Sequence, residues 1–179
     1  MVNVWRIHLR KGGVKDSVSI GDYCIKNNIA AMGWILKKNN EKIKSGEIII
    51  TSYADYEKYV GYEDYKEHHC VKTLALKIKP GDYIWTYLKA DKTYYLAKVG
   101  SNSKYNYNAS DEAIENDACN ELTNIEWKAI GDHNSVDEKI VDSFKINRTL
   151  QRVYNPNTNW TKYSAALKYT QKVYEEQNE

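Results

Sequence analysis

A chain of 179 residues with a net charge of +2 is long enough for one well-packed domain, and its overall charge is too small to indicate nucleic-acid binding. Three widely spaced cysteines do not make a disulfide framework. The sequence has neither a membrane-spanning apolar run nor a signal peptide, so we expect a cytoplasmic protein. Sixteen Tyr and five Trp accompany a single Phe. Tyr and Trp join an apolar ring to a polar group, which suits pocket walls as well as cores.

Short strands and helices alternate in the first half of the chain. Residues 2–10 alternate between apolar and polar side chains and predict a strand that ends at Lys11-Gly12-Gly13. The next predicted elements are a helix at 17–29 with a Ser17 cap, a strand at 30–38, a polar loop at 38–46 and helical segments within 52–77.

The stretch IKPGDYIWTYLKADKTYYLAKVG, residues 78–100, predicts a turn followed by a β-hairpin. Side chains alternate across a strand, so Tyr83, Trp85 and Tyr87 are expected on one face of the first strand of the hairpin. So many flat side chains on one hairpin indicate either a core or a site for a flat ligand.

The second half of the chain begins with a predicted acidic loop at 100–121. Strands at 124–130 and 148–154, a helix or turn at 136–144 and an amphipathic helix at 161–176 are expected after it. The sum is a single α+β domain over 1–179. About six short strands would form a small curved sheet or small open β-barrel with flanking helices.

Charge is unevenly distributed along the chain. Residues 1–50 hold nine Lys and Arg against four acidic residues, whereas residues 105–126 are rich in acidic residues. A separate basic face can hold an anionic ligand without a large net charge, although ordinary surface charge explains the same bias.

One sequence pattern suggests catalysis. Glu126-Trp-Lys128 on a predicted strand, with Asp117 upstream, is the spacing of metal-dependent nucleases that use two carboxylates and a lysine. The alternative is a solvated strand face. There is no Gly-rich phosphate loop and no nucleophile elbow, and the contiguous His68-His69-Cys70 cannot readily converge on one metal. We therefore expect no cofactor.

The tryptophans divide into two groups by their neighbours. Trp5 and Trp127 share predicted strand faces with apolar residues, which indicates core packing. Trp34 and Trp85 border polar or basic loops, and they are candidates for stacking against a base as well as for the core.

These motifs together resemble the EVE/PUA-like superfamily, whose fold group includes the YTH domains that read methylated RNA bases. The resemblance rests on the strand VWRIHLR, the strand containing Gly-Trp, the Pro-Gly-Asp turn and the hairpin ending in YYLAKVG, and it spans about residues 2–154. It is strongest to bacterial EVE-like modules associated with modification-dependent restriction enzymes.

The resemblance implies a small open barrel with an aromatic pocket for a flipped or single-stranded modified base. Trp34, Trp85 and Tyr87 match the pocket wall. Basic residues near the pocket would contact nucleic acid: Arg10, Lys11, Lys37 and Lys38. The usual Ser-Glu-Pro-like turn of the family is replaced here by Arg10-Lys11-Gly12-Gly13, so the groups that read the base edge stay open.

The implied function is a non-catalytic reader of modified DNA or RNA in restriction or phage defence, acting with a separate nuclease or motor protein. Two alternatives stay open at this point. One is a nuclease that uses Asp117, Glu126 and Lys128. The other is a module whose Tyr-rich surface binds another protein.

Overall fold

The computed structural model describes residues 1–11, 20–60 and 68–178, in which the chain forms eight strands and seven α-helices. The strands are β1 (Val4–Ile7), β2 (Ala30–Met32), β3 (Tyr83–Leu88), β4 (Thr93–Lys98), β5 (Tyr105–Tyr107), β6 (Asn120–Leu122), β7 (Lys128–Gly131) and β8 (Leu150–Arg152). The helices are α1 (Gly21–Lys26), α2 (Asn40–Lys44), α3 (Tyr53–Tyr59), α4 (His69–Leu76), α5 (Asp111–Glu115), α6 (Glu138–Ser143) and α7 (Trp160–Glu176).

The strands form two sheets. Five strands make the larger sheet in the order β7-β4-β3-β1-β8, in which only β1 and β3 run parallel. The smaller sheet is antiparallel, in the order β2-β6-β5. The α+β class is thus confirmed. The two sheets do not close into a barrel.

The large sheet separates two apolar cores. Alternation along β3 places Tyr83 and Trp85 in a core with residues of α6 and α7, and it places Ile84 in the other core. That second core lies between the large sheet, the small sheet and helices α1, α3 and α4. A side chain on β3 therefore belongs to one core or the other according to whether its number is odd or even.

The Pro-Gly-Asp turn before β3 has a structural role. Gly81 adopts a φ of +91°, which favours glycine. The buried carboxylate of Asp82 accepts hydrogen bonds from the Trp5 indole N–H at 2.8 Å and from the backbone N–H groups of Asn3 at 2.7 Å and Lys79 at 3.1 Å. These bonds tie the turn to β1 and compensate for the burial of the carboxylate.

Most of the elements predicted along the chain are confirmed, with shorter bounds, and the hairpin of β3 and β4 pairs in register from Tyr83 to Leu88. The predicted strand at 30–38 ends at Met32 and is followed by a 3₁₀ turn at Lys37–Asn39. The predicted Ser17 cap lies outside the described residues. None of the helices in the described ranges is long and apolar enough to cross a membrane.

The prediction of a loop at 100–121 is wrong, because this segment contains β5, α5 and the start of β6. Its polar side chains resemble those of a solvated loop, yet several are buried and paired. Asn106 and Asn108 donate to the carboxylate of the buried Glu121 at 3.0 and 2.7 Å. Side-chain hydrogen bonds between β5 and β6 thus replace the apolar pattern by which strands are recognised.

Candidate functional site

Trp34 follows β2 in an unusual backbone conformation. Its φ is +62°, in the left-handed region that bulky residues rarely adopt, at a cost of about 1–2 kcal/mol. Such a conformation persists only where the surrounding structure holds it, and it is a reason to look for function. The indole is half-buried at the border of the core that faces the small sheet.

The backbone of Trp34 is held by side chains from distant parts of the chain. Its carbonyl accepts hydrogen bonds from the Tyr56 hydroxyl at 2.9 Å and from the Asn120 side-chain amide at 3.3 Å. The same amide donates to the Gly33 carbonyl, and its oxygen accepts from the Tyr105 hydroxyl at 2.7 Å. Asn120 is fully buried, so this network fixes the segment rigidly.

Gly33, directly before Trp34, packs closely against the side chain of Asp117. A Cβ added at position 33 would lie 2.1 Å from Oδ1 of Asp117, which is far inside contact distance. Asp117 itself has a φ of +52°. Two constrained turns therefore pack against each other beside the indole, one after β2 and one before β6.

Aromatic rings continue from Trp34 into the core. The His68 ring lies 6.0 Å from the indole between centroids, and its Nδ1 is 2.6 Å from the Tyr56 hydroxyl. Tyr107 lies 5.6 Å from Tyr56. Burial raises the pKa of the Tyr56 hydroxyl, and likewise those of Tyr105 and Tyr107, so all three stay protonated at neutral pH.

The indole N–H groups separate the tryptophans more sharply than burial alone. Trp5 donates to Asp82 at 2.8 Å, Trp85 to the Thr170 hydroxyl at 3.0 Å and Trp127 to the Ile29 carbonyl at 2.8 Å. Trp5 and Trp127 are buried, and their predicted core role is confirmed.

Across the described ranges, no acceptor pairs with the indole N–H of Trp34 or Trp160. Trp160 is 60% exposed at the start of α7, whereas Trp34 is half-buried beside Tyr56, His68 and Asn120, and we call these surroundings the Trp34 niche. Trp34 is therefore the tryptophan that is half-buried among other side chains and whose indole N–H has no acceptor in the described ranges.

Two lysines stand next to this niche. Lys37 and Lys38 are exposed on the 3₁₀ turn that follows Trp34, and neither forms an ion pair in the part of the chain that the structure describes. Both side chains are therefore available to an anion at this turn.

The structure does not bring Trp85 to Trp34. Trp85 is 0% exposed, and its ring stacks on Tyr169 of α7 at 6.3 Å with an interplanar angle of 13°. The expectation of one pocket walled by both tryptophans is therefore corrected. The odd-numbered face of β3 is covered by α7, whereas Trp34 packs with the core on the other side of the sheet.

The other predicted contact residues make no hydrogen bond or ring contact with Trp34 within the described ranges. Tyr87 is half-buried on the face of Trp85, and its ring is 4.5 Å from that of Tyr94. Arg10 donates to the Asn147 side chain at 2.5 Å, and Lys11 follows it, half-buried.

The three residues of the nuclease alternative have separate surroundings. Asp117 packs on Gly33, Glu126 is exposed before β7, and Lys128 contacts the end of α7 through the Gln177 carbonyl and the Asn178 side chain. Within residues 1–11, 20–60 and 68–178, no three His, Cys, Asp or Glu side chains lie close enough together to hold a metal ion.

A family model described as a domain of unknown function, DUF8426, matches residues 5–164. The chain belongs to this family. No curated protein and no solved structure matches the chain. The region matched to DUF8426 runs from β1 into α7, so it contains Trp34 with every residue that holds it, and also Trp85.

Three residues of the niche were not predicted as site residues: Tyr56, His68 and Asn120. Tyr56 shows only a helical repeat in the sequence, and His68 stands out only as one of two adjacent histidines. Asn120 carries no local signal, because its role depends on the pairing of β6 with β2.

A shallow apolar groove lies on another part of the small sheet. It has a volume of about 400 Å³ and is lined by Ile43, the segment 48–50 and Tyr107. Ile49 is 71% exposed. This groove is the described feature that bears on the protein-binding alternative.

Proposed function

We propose that this DUF8426 chain is a non-catalytic nucleic-acid-binding module that reads a modified base stacked against Trp34. The observation that carries the proposal is the half-buried indole held in a left-handed conformation, with its N–H available. Backbone strain at a well-supported position is characteristic of binding sites.

The energetics of such a site are favourable. Extruding a base from a duplex costs a few kcal/mol, least where the base is already unpaired, and stacking on an aromatic ring returns about 1–3 kcal/mol. A methyl group buried against the indole adds about 0.8 kcal/mol. Discrimination between a modified and an unmodified base is therefore expected to be several-fold for burial of the methyl group alone.

The network around Trp34 reduces the cost of ordering the site. Asn120 and Tyr56 hold the backbone of Trp34 before any ligand arrives, so the indole does not have to be positioned on binding. Its N–H can donate to a ring nitrogen or carbonyl oxygen of the base. Lys37 and Lys38 would contact the adjoining phosphates, which position a nucleic acid without specifying its sequence.

The biological setting that we infer is a recognition step in restriction or phage defence. A module of this kind supplies selectivity, and cleavage or translocation would come from a separate nuclease or motor protein that acts on the bound DNA or RNA.

The test is fluorescence anisotropy with matched oligonucleotides, DNA and RNA, that differ by one N-methylated adenine or one 5-methylated cytosine. We expect the wild-type protein to prefer one modified oligonucleotide. Trp34→Ala should abolish that preference and keep the weak, salt-sensitive binding of the unmodified strand.

Trp160→Ala is the matched control, because it removes the other indole that has no hydrogen-bond partner and that lies outside the niche. Equal binding of modified and unmodified strands by the wild-type protein would contradict the proposal. So would a preference that Trp34→Ala leaves intact.

A further inference from the structure

Three cationic side chains lie where β1 and β3 end. Arg10 follows β1, Lys89 follows β3, and Arg148 precedes β8. We call this region, together with His8 and Tyr87, the strand-end surface.

Strand pairing brings these residues together. β1 and β3 are parallel with Arg6 aligned with Trp85, and the chain stays hydrogen-bonded beyond β1 through the His8 N–H and the Thr149 carbonyl at 2.8 Å. Because the two strands run parallel, the residues that follow them, Arg10 after β1 and Lys89 after β3, lie at the same end of the sheet. Neighbouring strands lie about 4.8 Å apart.

A buried arginine holds the loop that carries Arg148. Arg6 is 0% exposed, and its guanidinium donates to the carbonyls of Ser143 and Ile146, each at 2.9 Å, and to that of Arg148. Arg10 donates to Asn147 in the same loop. The loop is thus fixed against β1, which presents Arg148 on the same end of the sheet as Arg10.

The positive charge of this surface is not neutralised. Arg10, Lys89 and Arg148 form no ion pair anywhere in the described ranges. Burial, with Arg6 next in importance and Arg10 and Lys89 contributing, lowers the pKa of His8 to about 4. Like charges therefore converge on His8, an arrangement that favours an anionic ligand.

Aromatic rings lie among the cations. Tyr87 and Phe144 both contact Tyr94, at 4.5 and 5.6 Å between centroids, and His8 meets Phe144 edge-on at 5.4 Å. Grooves that bind single-stranded nucleic acid combine cations that follow the backbone with rings that stack on bases. The rings favour a nucleic acid over a simple anion.

Helix α4 connects this surface with Trp34. His68, which directly precedes α4, contacts the Trp34 ring. Helix α4 also packs against β8, the strand that begins two residues after Arg148. The same helix therefore contacts the surroundings of both regions.

We propose that Arg10, Lys89 and Arg148 bind the phosphodiester backbone of the nucleic-acid strand whose modified base enters at Trp34, with Tyr87 stacking on a neighbouring base. This inference rests on the proposed function for the identity of the ligand.

The test compares the double variant Arg10→Gln/Arg148→Gln with Lys168→Gln/Lys172→Gln, which removes the same charge from α7. Affinities for a twelve-nucleotide oligothymidylate and for matched strands with and without the modified base are measured by anisotropy from 50 to 400 mM salt. We expect the first variant to lose about ten-fold in affinity for every strand. Its slope of log K against log salt should fall by about 1.4, since each phosphate contact to a single strand contributes about 0.7.

Selectivity for the modified base should not change in the first variant, whereas Trp34→Ala should change selectivity alone. The proposal would be overturned if the Arg10→Gln/Arg148→Gln variant had the same affinity and salt slope as the α7 variant. If the double variant melts early, Lys89→Gln, in an exposed loop, repeats the test. Loss of binding to phosphatidylserine vesicles, with oligonucleotide binding intact, would also overturn it. If the wild-type protein shows no base preference yet the slope falls as expected, the function proposed for Trp34 fails and the strand-end surface stands.

Discussion

The hairpin of β3 and β4 and the segment after β2 each carry a tryptophan beside a polar loop, yet the two regions differ in what determines their structure. In the hairpin, strand alternation alone assigns Trp85 to one face, and α7 covers it. After β2, the backbone of Trp34 leaves the strand and is held by Tyr56, 22 positions away, and by Asn120, 86 positions away. Regular structure makes Trp85 a core residue, whereas long-range polar contacts hold the backbone of Trp34 at the border of the other core.

The largest expected effect is on stability when Trp85 is removed. Trp85→Ala should lower the free energy of unfolding by about 3–5 kcal/mol, because it empties a fully buried site and leaves Thr170 without its donor. Trp34→Ala should cost about 1 kcal/mol, since the indole is half-exposed and its partners bind the backbone. Urea denaturation of both variants measures the two free energies of unfolding. Equal losses of stability in Trp85→Ala and Trp34→Ala would contradict the assignment of only Trp85 to a closed core.

The stability of the protein should depend on pH through His8, which follows β1. The lowered pKa of His8 means that the unfolded chain binds the proton more tightly between about pH 6.5 and pH 4, so stability falls as pH drops through that window. The loss attributable to His8 is about 2–3 kcal/mol.

Unfolding free energies at pH 7 and pH 4.5 test this prediction. His8→Gln should make the drop smaller by about 2 kcal/mol than in the wild-type protein. An identical drop in both proteins would mean that His8 is not held neutral by its burial and by the cations around it.

The packing of Gly33 on Asp117 predicts a coupled pair. Gly33→Ala should cost about 1–3 kcal/mol, because its Cβ collides with the carboxylate. Asp117→Gly removes the obstacle and also suits the positive φ at that position. In a double-mutant cycle of thermal melts, Gly33→Ala should therefore be less damaging in the Asp117→Gly background. Additive effects would show that the contact is not what excludes a side chain.

The smallest expected effect tests the strain at Trp34 itself. Trp34→Gly should be more stable than Trp34→Ala by about 1 kcal/mol, because glycine adopts a φ of +62° without penalty. At an ordinary helical or extended position the order would be reversed. If Trp34→Ala is at least as stable as Trp34→Gly, the backbone at position 34 is not strained.

Sequence patterns gave the hairpin, β1, α7 and the core roles of Trp5 and Trp127, because local alternation and helical spacing dictate those elements. They missed β5 and β6, where buried Asn and Glu side chains pair with each other, and so they missed Asn120. The resemblance to the EVE/PUA-like superfamily placed Trp34 and Trp85 in one pocket, and periodicity could not correct this, because it reports the face of a strand but not which core covers that face.

The most direct test of the central claim is a titration followed by the five indole N–H resonances in ¹H–¹⁵N spectra, assigned with Trp34→Phe and the other single Trp→Phe variants. On addition of the preferred modified oligonucleotide, we predict a large shift of the Trp34 resonance. The resonances of Trp5, Trp85 and Trp127, whose N–H groups are bonded inside the protein, should stay in place. A Trp34 resonance that does not move while the oligonucleotide binds, or a shift centred on Trp85, would contradict the account.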